Sequence, residues 1–150
     1  MPDSKPVVGN AYGVLVDYGK SVEELVKSGR YHWSNSDITS KHFPTKRIGK
    51  TEIAVELVHF NRYIGIDEAL KEFERMGCRP AELHELLVLG VTYPDFQREF
   101  PIIAISSVWQ DSNGYRRVPC LSKYGSERTL RLSRIEDGWG EISRFAAVRK

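Results

Sequence analysis

The chain has 150 residues, 41% of them hydrophobic and 28% charged, with a formal net charge of +2. That suffices for one domain with a real core. It is too near charge balance to require a nucleic-acid partner, and no apolar run is long enough to cross a membrane. Two cysteines, Cys78 and Cys120, lie far apart and outside any CxxC pattern, which predicts free thiols and no disulfide scaffold. The N-terminal stretch "MPDSKPVVGNAYG" has no hydrophobic signal core. The sequence therefore predicts a soluble, cytoplasmic protein, and display on a virion or cell surface would need another route.

Residues 1–11 read as a loose lead-in. "AYGVLVDYG" reads as a strand with Tyr12, Val14 and Val16 on one face. Ser21 and Glu24 have the spacing of a reciprocal capping box, and Gly29 closes the helix they open. "TEIAVELVHFNRYI" alternates: Ile53, Val55, Leu57 and His59 fall on one face, Glu52, Ala54, Glu56 and Val58 on the other. Asp67 is the expected cap of a second helix, "EALKEFERMG", with Ala69, Leu70, Phe73 and Met76 at helical spacing. Pro80 is expected in the first turn of a third, "AELHELLVLG", ended by Gly90. "YPDFQREFP" suggests one more helical turn.

From Ile102 onward the character changes to short strands and turns: "IIAISSVW", a "DSNG" turn, "YRRVPCL", a "YGSE" turn, "TLRL", a long loop and "RFAAVRK". Helices in the N-terminal half and short antiparallel strands with long loops in the C-terminal half define an α+β domain. No linker divides it. Residues 1–150 form one unit, with 12–104 as scaffold and 105–150 as a β-rich region suited to ligand display.

The four histidines have no metal spacing, and His84 with Glu85 lacks the second histidine of HExxH. No metal or cofactor is expected. Cys78 precedes Arg79 near an expected helix start, yet no base and orienting group accompany it, so it reads as a packed thiol. The pairs Glu23/Glu24 and Glu82/Glu85 read as solvated helix faces. Lys41, His42, Lys46, Arg47 and Lys50 form a basic loop whose neighbours Tyr31, Trp33 and Phe43 could stack on bases. A nucleic-acid accessory role is accordingly one alternative; the balanced overall charge argues against it.

Three stretches carry a resemblance. In "MGCRPAELHELLVLG" (76–90), Gly77, Arg79, Pro80, Glu85 and Leu86 resemble the helix opening of bacterial C-type-lectin-fold domains of the formylglycine-generating-enzyme type. Cys78 stands where that pattern has an aromatic, and Arg79 meets Pro80 directly. "SSVWQDSNG" (106–114) is similar to that fold's Trp-bearing strand and turn, and "RFAAVRK" (144–150) to its closing strand. The three pieces occur in family order. A small chain of this type without disulfides resembles the variable proteins of diversity-generating retroelements of phages, archaeal viruses and archaea. In those, reverse transcription rewrites adenines near the 3′ end of the gene, and a C-type lectin fold displays the altered side chains.

The resemblance implies a non-enzymatic ligand-binding protein whose partner is another protein. It implies a recognition surface at Ser122, Lys123, Tyr124, Thr129, Arg131, Ser133, Arg134, Ile135, Gly138, Trp139, Gly140, Ile142 and Ser143, with Tyr124, Arg131, Arg134, Ile135 and Trp139 as anchors. Most of these residue types are reachable by changing the adenines of an asparagine codon; Lys123 is not. Leu130, Leu132, Trp139, Phe145, Ala147 and Val148 read as the frame between them. Two departures exclude other members' chemistry. Trp109-Gln110-Asp111 lacks a Pro-flanked carboxylate pair, so no calcium-dependent sugar site is expected. Cys78 and Cys120 do not match the metal-binding cysteine pair of the formylglycine-generating enzymes. An enzyme on that fold remains the other alternative.

Overall fold

A computed structural model describes residues 7–150. The elements in chain order are β1 (Val7–Asp17), α1 (Val22–Gly29), β2 (Trp33–Ser34), β3 (Lys50–His59), α2 (Ile66–Met76), β4 (Cys78–Pro80), α3 (Leu83–Thr92) and α4 (Phe96–Glu99). There follow β5 (Ile102–Ile103), β6 (Trp109–Gln110), β7 (Arg116–Tyr124), β8 (Glu127–Arg134), a 3-10 turn (Ile135–Asp137) and β9 (Arg144–Arg149). The strands form one nine-stranded sheet in the order β1-β3-β9-β5-β7-β8-β2, with β4 paired to β9 and β6 to β7. The closing strand thus lies inside the sheet, antiparallel to β3 and parallel to β5.

Each face of the sheet has its own apolar cluster. On one, Val14, Val16, Val55, Leu57, Ile102, Leu121, Leu130, Ala146 and Val148 meet Val22 and Leu25 of α1 and Leu83, Leu86 and Leu87 of α3. On the other, Val58, Cys78, Ile103, Val118, Cys120, Phe145 and Ala147 are covered by Ala69 and Phe73 of α2 and by Ile135 and Trp139 of the late loop. Burial on both sides explains why β3 alternates cleanly only at its start. From Val55 to Val58 every side chain is buried, Glu56 included.

Several boundaries differ from the sequence expectation. The strand β1 begins at Val7, so 7–11 are not a loose lead-in; residues 1–6 lie outside the described residues. The Ser21–Glu24 capping box is present, Glu24 N–H donating to Ser21 Oγ at 3.1 Å and Ser21 N–H to Glu24 Oε1 at 3.2 Å. In α2 the cap position falls on Gly65, and Asp67 sits in the first turn, where its charge favours the helix dipole. Pro80 belongs to β4, opposite Ala147 of β9, and α3 starts after Glu82. Gly90 does not end α3, which continues to Thr92. It is required inside the helix because a Cβ there would lie 2.6 Å from Tyr31 Oη and 3.2 Å from Leu121.

Of the carboxylates expected on solvated faces, Glu23 and Glu24 are exposed, whereas Glu82 is half-buried and Glu85 buried. Glu23 accepts from the Ser40 hydroxyl at 2.6 Å, and Glu82 accepts from Thr45 Oγ1 at 2.7 Å and Arg47 Nε at 2.5 Å. Glu85 is fully buried. It accepts both arms of Arg79, the Tyr18 hydroxyl at 2.6 Å and the Glu82 N–H at 2.8 Å. Burial pushes the Glu85 pKa up, but these donors outweigh it and hold the carboxyl below its ordinary value. His84 is buried as well, its Nε2 3.1 Å from the Lys20 carbonyl.

Candidate functional site

The β7–β8 hairpin and the loop to β9 carry the expected surface. Register pairs Ser122 with Thr129, Cys120 with Arg131 and Val118 with Ser133, while Lys123 pairs with Arg128, Leu121 with Leu130 and Arg117 with Arg134. Strand alternation therefore sends Ser122, Tyr124, Thr129, Arg131 and Ser133 to the Trp139 side. Lys123, Arg128, Leu130 and Arg134 go to the helical side.

The hairpin is fastened from that helical side. Arg128, buried, donates to the carbonyls of Gly29 at 2.6 Å, Gly90 at 2.8 Å and Pro94 at 3.0 Å, and its guanidinium lies 4.7 Å from the Tyr31 ring centre. Gln97 Nε2 donates to the carbonyls of Ser122 and Thr129. One arginine thus ties the hairpin to the ends of α1 and α3, and one amide clamps the two strands.

The loop is fastened from the other side. Trp139 and Ile64 exchange backbone hydrogen bonds, both 2.9 Å. The Trp139 indole N–H donates to Ser133 Oγ at 3.3 Å, and its ring meets Phe145 edge-on at 5.3 Å. Gly138 has φ 65°, and a Cβ there would lie 2.3 Å from Tyr63 Oη, whose hydroxyl donates to the Asp137 carbonyl. His59 Nε2 lies 2.7 Å from the Glu141 carbonyl, and Arg144 donates to the Ile142 carbonyl at 2.6 Å. A run that is neither helix nor sheet in sequence is nonetheless held at both ends and in the middle.

Burial divides the expected contacts. Lys123, Tyr124, Arg131, Gly140 and Ile142 are exposed, and Ser122, Ser133, Arg134 and Gly138 are partly so. Thr129, Ile135, Trp139 and Ser143 are buried. As anchors, Ile135 and Trp139 are corrected: both side chains complete the second apolar cluster and point inward. Gly138 holds the loop's turn. Arg134 is separated from Arg131 by the sheet and stacks on Tyr115, 3.6 Å from the ring centre. Of the exposed residues, Tyr124 and Arg131 therefore share a patch on the Trp139 side of the hairpin, Gly140 and Ile142 lie on the loop that follows, and Lys123, like the partly exposed Arg134, faces the opposite side.

One residue of this patch comes from outside the C-terminal region. Trp33 pairs with Thr129 in parallel register, is 47% exposed, and lies under Arg131, whose guanidinium is 5.3 Å from its ring centre. Its place among polar residues made it an aromatic of the basic loop in sequence; only the β2–β8 pairing reveals the neighbourhood.

The basic loop is committed only in part, since Lys41, Lys46 and Lys50 are exposed. His42 stacks on Trp109 with ring centres 4.1 Å apart, Phe43 is buried, Tyr31 lies beneath Arg128, and Arg47 pairs with Glu82. Each aromatic that could have stacked on bases has a contact within the molecule: Tyr31 with Arg128, Phe43 in the core and Trp33 with Arg131. Both thiols are buried; burial pushes Cys78 up and Cys120 up to about 12, away from nucleophilic use. Among the described residues no three metal-ligating side chains converge, and no helix is long and apolar enough to cross a membrane.

The fold is thus a mixed α/β domain, four helices on a nine-stranded sheet. No protein-family model, curated protein or solved structure matches the chain.

Proposed function

We propose that the chain is a non-enzymatic binding protein that displays a diversified C-terminal surface for a protein ligand on a C-type-lectin-like scaffold. The observation that carries this reading is the separation of frame from display. Leu130, Trp139, Phe145, Ala147 and Val148 are buried, while Tyr124, Arg131, Gly140 and Ile142, interleaved with them in sequence, are exposed. A surface of aromatic, Arg, Ser and Gly residues on a well-fastened hairpin, whose strands of nine and eight residues are longer than the sequence suggested, suits protein recognition: rigid anchors among adaptable polar groups.

The C-type-lectin-like assignment is part of the proposal. It is supported by the way the resembling stretches meet. Arg79 and Pro80 of the first pair with Val148 and Ala147 of the last, and Trp109 of the second opens a strand beside β7. The Arg79–Glu85 pair gives that helix opening a physical task, since it locks β4 to α3.

The test is on DNA. The gene and its flanks are sequenced from the source population in search of a near-copy of the segment encoding 105–150. A copy that differs only at adenines, with differences at exposed positions such as Arg131, Gly140 and Ile142 and none at Trp139 or Phe145, supports the reading. An invariant 3′ end without a copy overturns diversification.

A further inference from the structure

We propose that the patch recognises a carboxylate of its protein ligand through Arg131, held ready by Trp33, so that Trp33 belongs to the binding site although it lies nearly a hundred residues earlier in the chain. The inference rests on the reading of this surface as a ligand site and names the chemistry it takes.

Arg131 stands apart from the other arginines after residue 105. Arg116, Arg117, Arg134 and Arg149 each face a carboxylate, respectively Glu136, Asp111, Asp137 and Glu56. Arg128 and Arg144 donate to backbone carbonyls. Among the described residues Arg131 has neither kind of partner. Its Nε donates to Thr129 Oγ1 at 3.2 Å and its guanidinium carbon lies 5.3 Å from the Trp33 ring centre, within cation–π range, which leaves its terminal N–H groups without a protein partner.

That arrangement is what a bidentate carboxylate contact needs. The guanidinium fork matches the two oxygens of a carboxylate. The Nε bond to Thr129 and the cation–π contact with the indole bias the fork's orientation before the ligand arrives, which lowers the ordering cost of binding. The chemistry around it favours a single acidic side chain over a phosphate chain. On this side of the hairpin the neighbours are exposed Tyr124 and Glu127 and half-buried Ser122 and Ser133, and Lys123 points to the opposite face. One isolated cation beside a carboxylate is a poor track for a polyanion, whose binding depends on several aligned cations.

The experiment is an NMR titration of the full chain with Nα-acetyl-glutamate amide as the carboxylate probe and Nα-acetyl-glutamine amide as its neutral isostere. The Arg131 Nε–Hε and Trp33 indole signals should move saturably with the first and not with the second. Arg131→Gln should abolish the response. Trp33→Leu should weaken it about threefold, the factor a surface cation–π contact contributes, while the Trp139 indole signal stays in place as evidence of a retained fold. Equal responses to both probes, no response at Arg131, or tighter saturation by a short oligothymidine would overturn the inference. The genomic search is independent of this outcome. A near-copy without a carboxylate response removes the inference alone; a carboxylate response without a near-copy removes diversification alone.

Discussion

Arg79 grips Glu85 with both arms, Nη1 to Oε1 at 2.9 Å and Nη2 to Oε2 at 2.6 Å, and the carboxylate they hold is wholly cut off from water. An ion pair of this kind contributes little if both partners are exchanged for apolar residues, but it is costly to break from one side. Arg79→Ala leaves Glu85 buried and short of its main donor. Unfolding in urea should show a loss of about 3–5 kcal/mol, the range for orphaning a buried charge.

The same carboxylate should leave a mark on acid stability. Its folded pKa is lowered, so the stability it contributes is present above its unfolded value, about 4.3, and is lost as pH falls through the folded value. Glu85→Gln should therefore be destabilising near neutral pH. Its difference from the parent should shrink once pH drops below about 4, the unfolded carboxylate range. A difference that stays constant from neutral to acid would mean that Glu85 acts through packing and not through its charge.

Gly90 and Tyr31 should behave as a coupled pair. The Tyr31 hydroxyl is the nearest atom to a Cβ built at Gly90, at 2.6 Å, and Arg128, seated over the Tyr31 ring, donates to the Gly90 carbonyl. Gly90→Ala should cost about 1–3 kcal/mol, as overpacking does. Tyr31→Phe removes the clashing atom, so the double variant should recover part of that loss. A double-mutant cycle on thermal or urea unfolding reads the coupling directly, and strict additivity would disprove it.

Frame and display should separate in stability measurements. Trp139 is held by its backbone exchange with Ile64, its bond to Ser133 and its packing on Phe145. Trp139→Ala should cost about 3–5 kcal/mol. Tyr124→Ala and Ile142→Ser, at 74% and 64% exposed positions, should stay within about 0.5 kcal/mol of the parent. If either exposed residue proved as costly as Trp139, the division on which the binding reading rests would fail.

How much of this was legible follows from where each residue's partner lies. The Ser21–Glu24 box was readable because both partners sit within one turn. The β7–β8 hairpin and β9 were readable from alternation and turn residues, whereas "IIAISSVW" is no single strand: only Ile102–Ile103 and Trp109–Gln110 pair, and 104–108 between them are irregular. Glu85 looked like a surface carboxylate because Tyr18, one of its donors, is 67 positions away. Pro80 fits the first turn of a helix as well as a short strand, and pairing with β9 decides for the strand. Gly90 looked like a helix stop, whereas the demand for a bare Cα comes from Tyr31. Ile135 and Thr129 looked displayed because what buries them is not local: Ile135 completes the second apolar cluster, and Thr129 lies between Ser122 and Trp33 of its neighbouring strands. Trp33 was missed as a patch residue for the same reason: its strand is two residues long and leaves no periodic signal.

The cysteines give a last, inexpensive check that the fold closes as described. Cys78 is sealed at the junction of β4 and β9, with Glu56 Oε2 3.8 Å from its sulfur, and Cys120 lies under the second apolar cluster. Burial raises both pKa values, Cys120 to about 12. An unfolded thiol ionises near 8.5, so the folded state resists ionisation that the unfolded state allows, and stability should decline as pH rises above that value. At pH 8 the native protein should react with a thiol-specific disulfide reagent only as fast as it unfolds, and both thiols should become reactive together in denaturant. Rapid labelling of either one in the folded protein would show an accessible thiolate. It would also restore that cysteine as a candidate nucleophile.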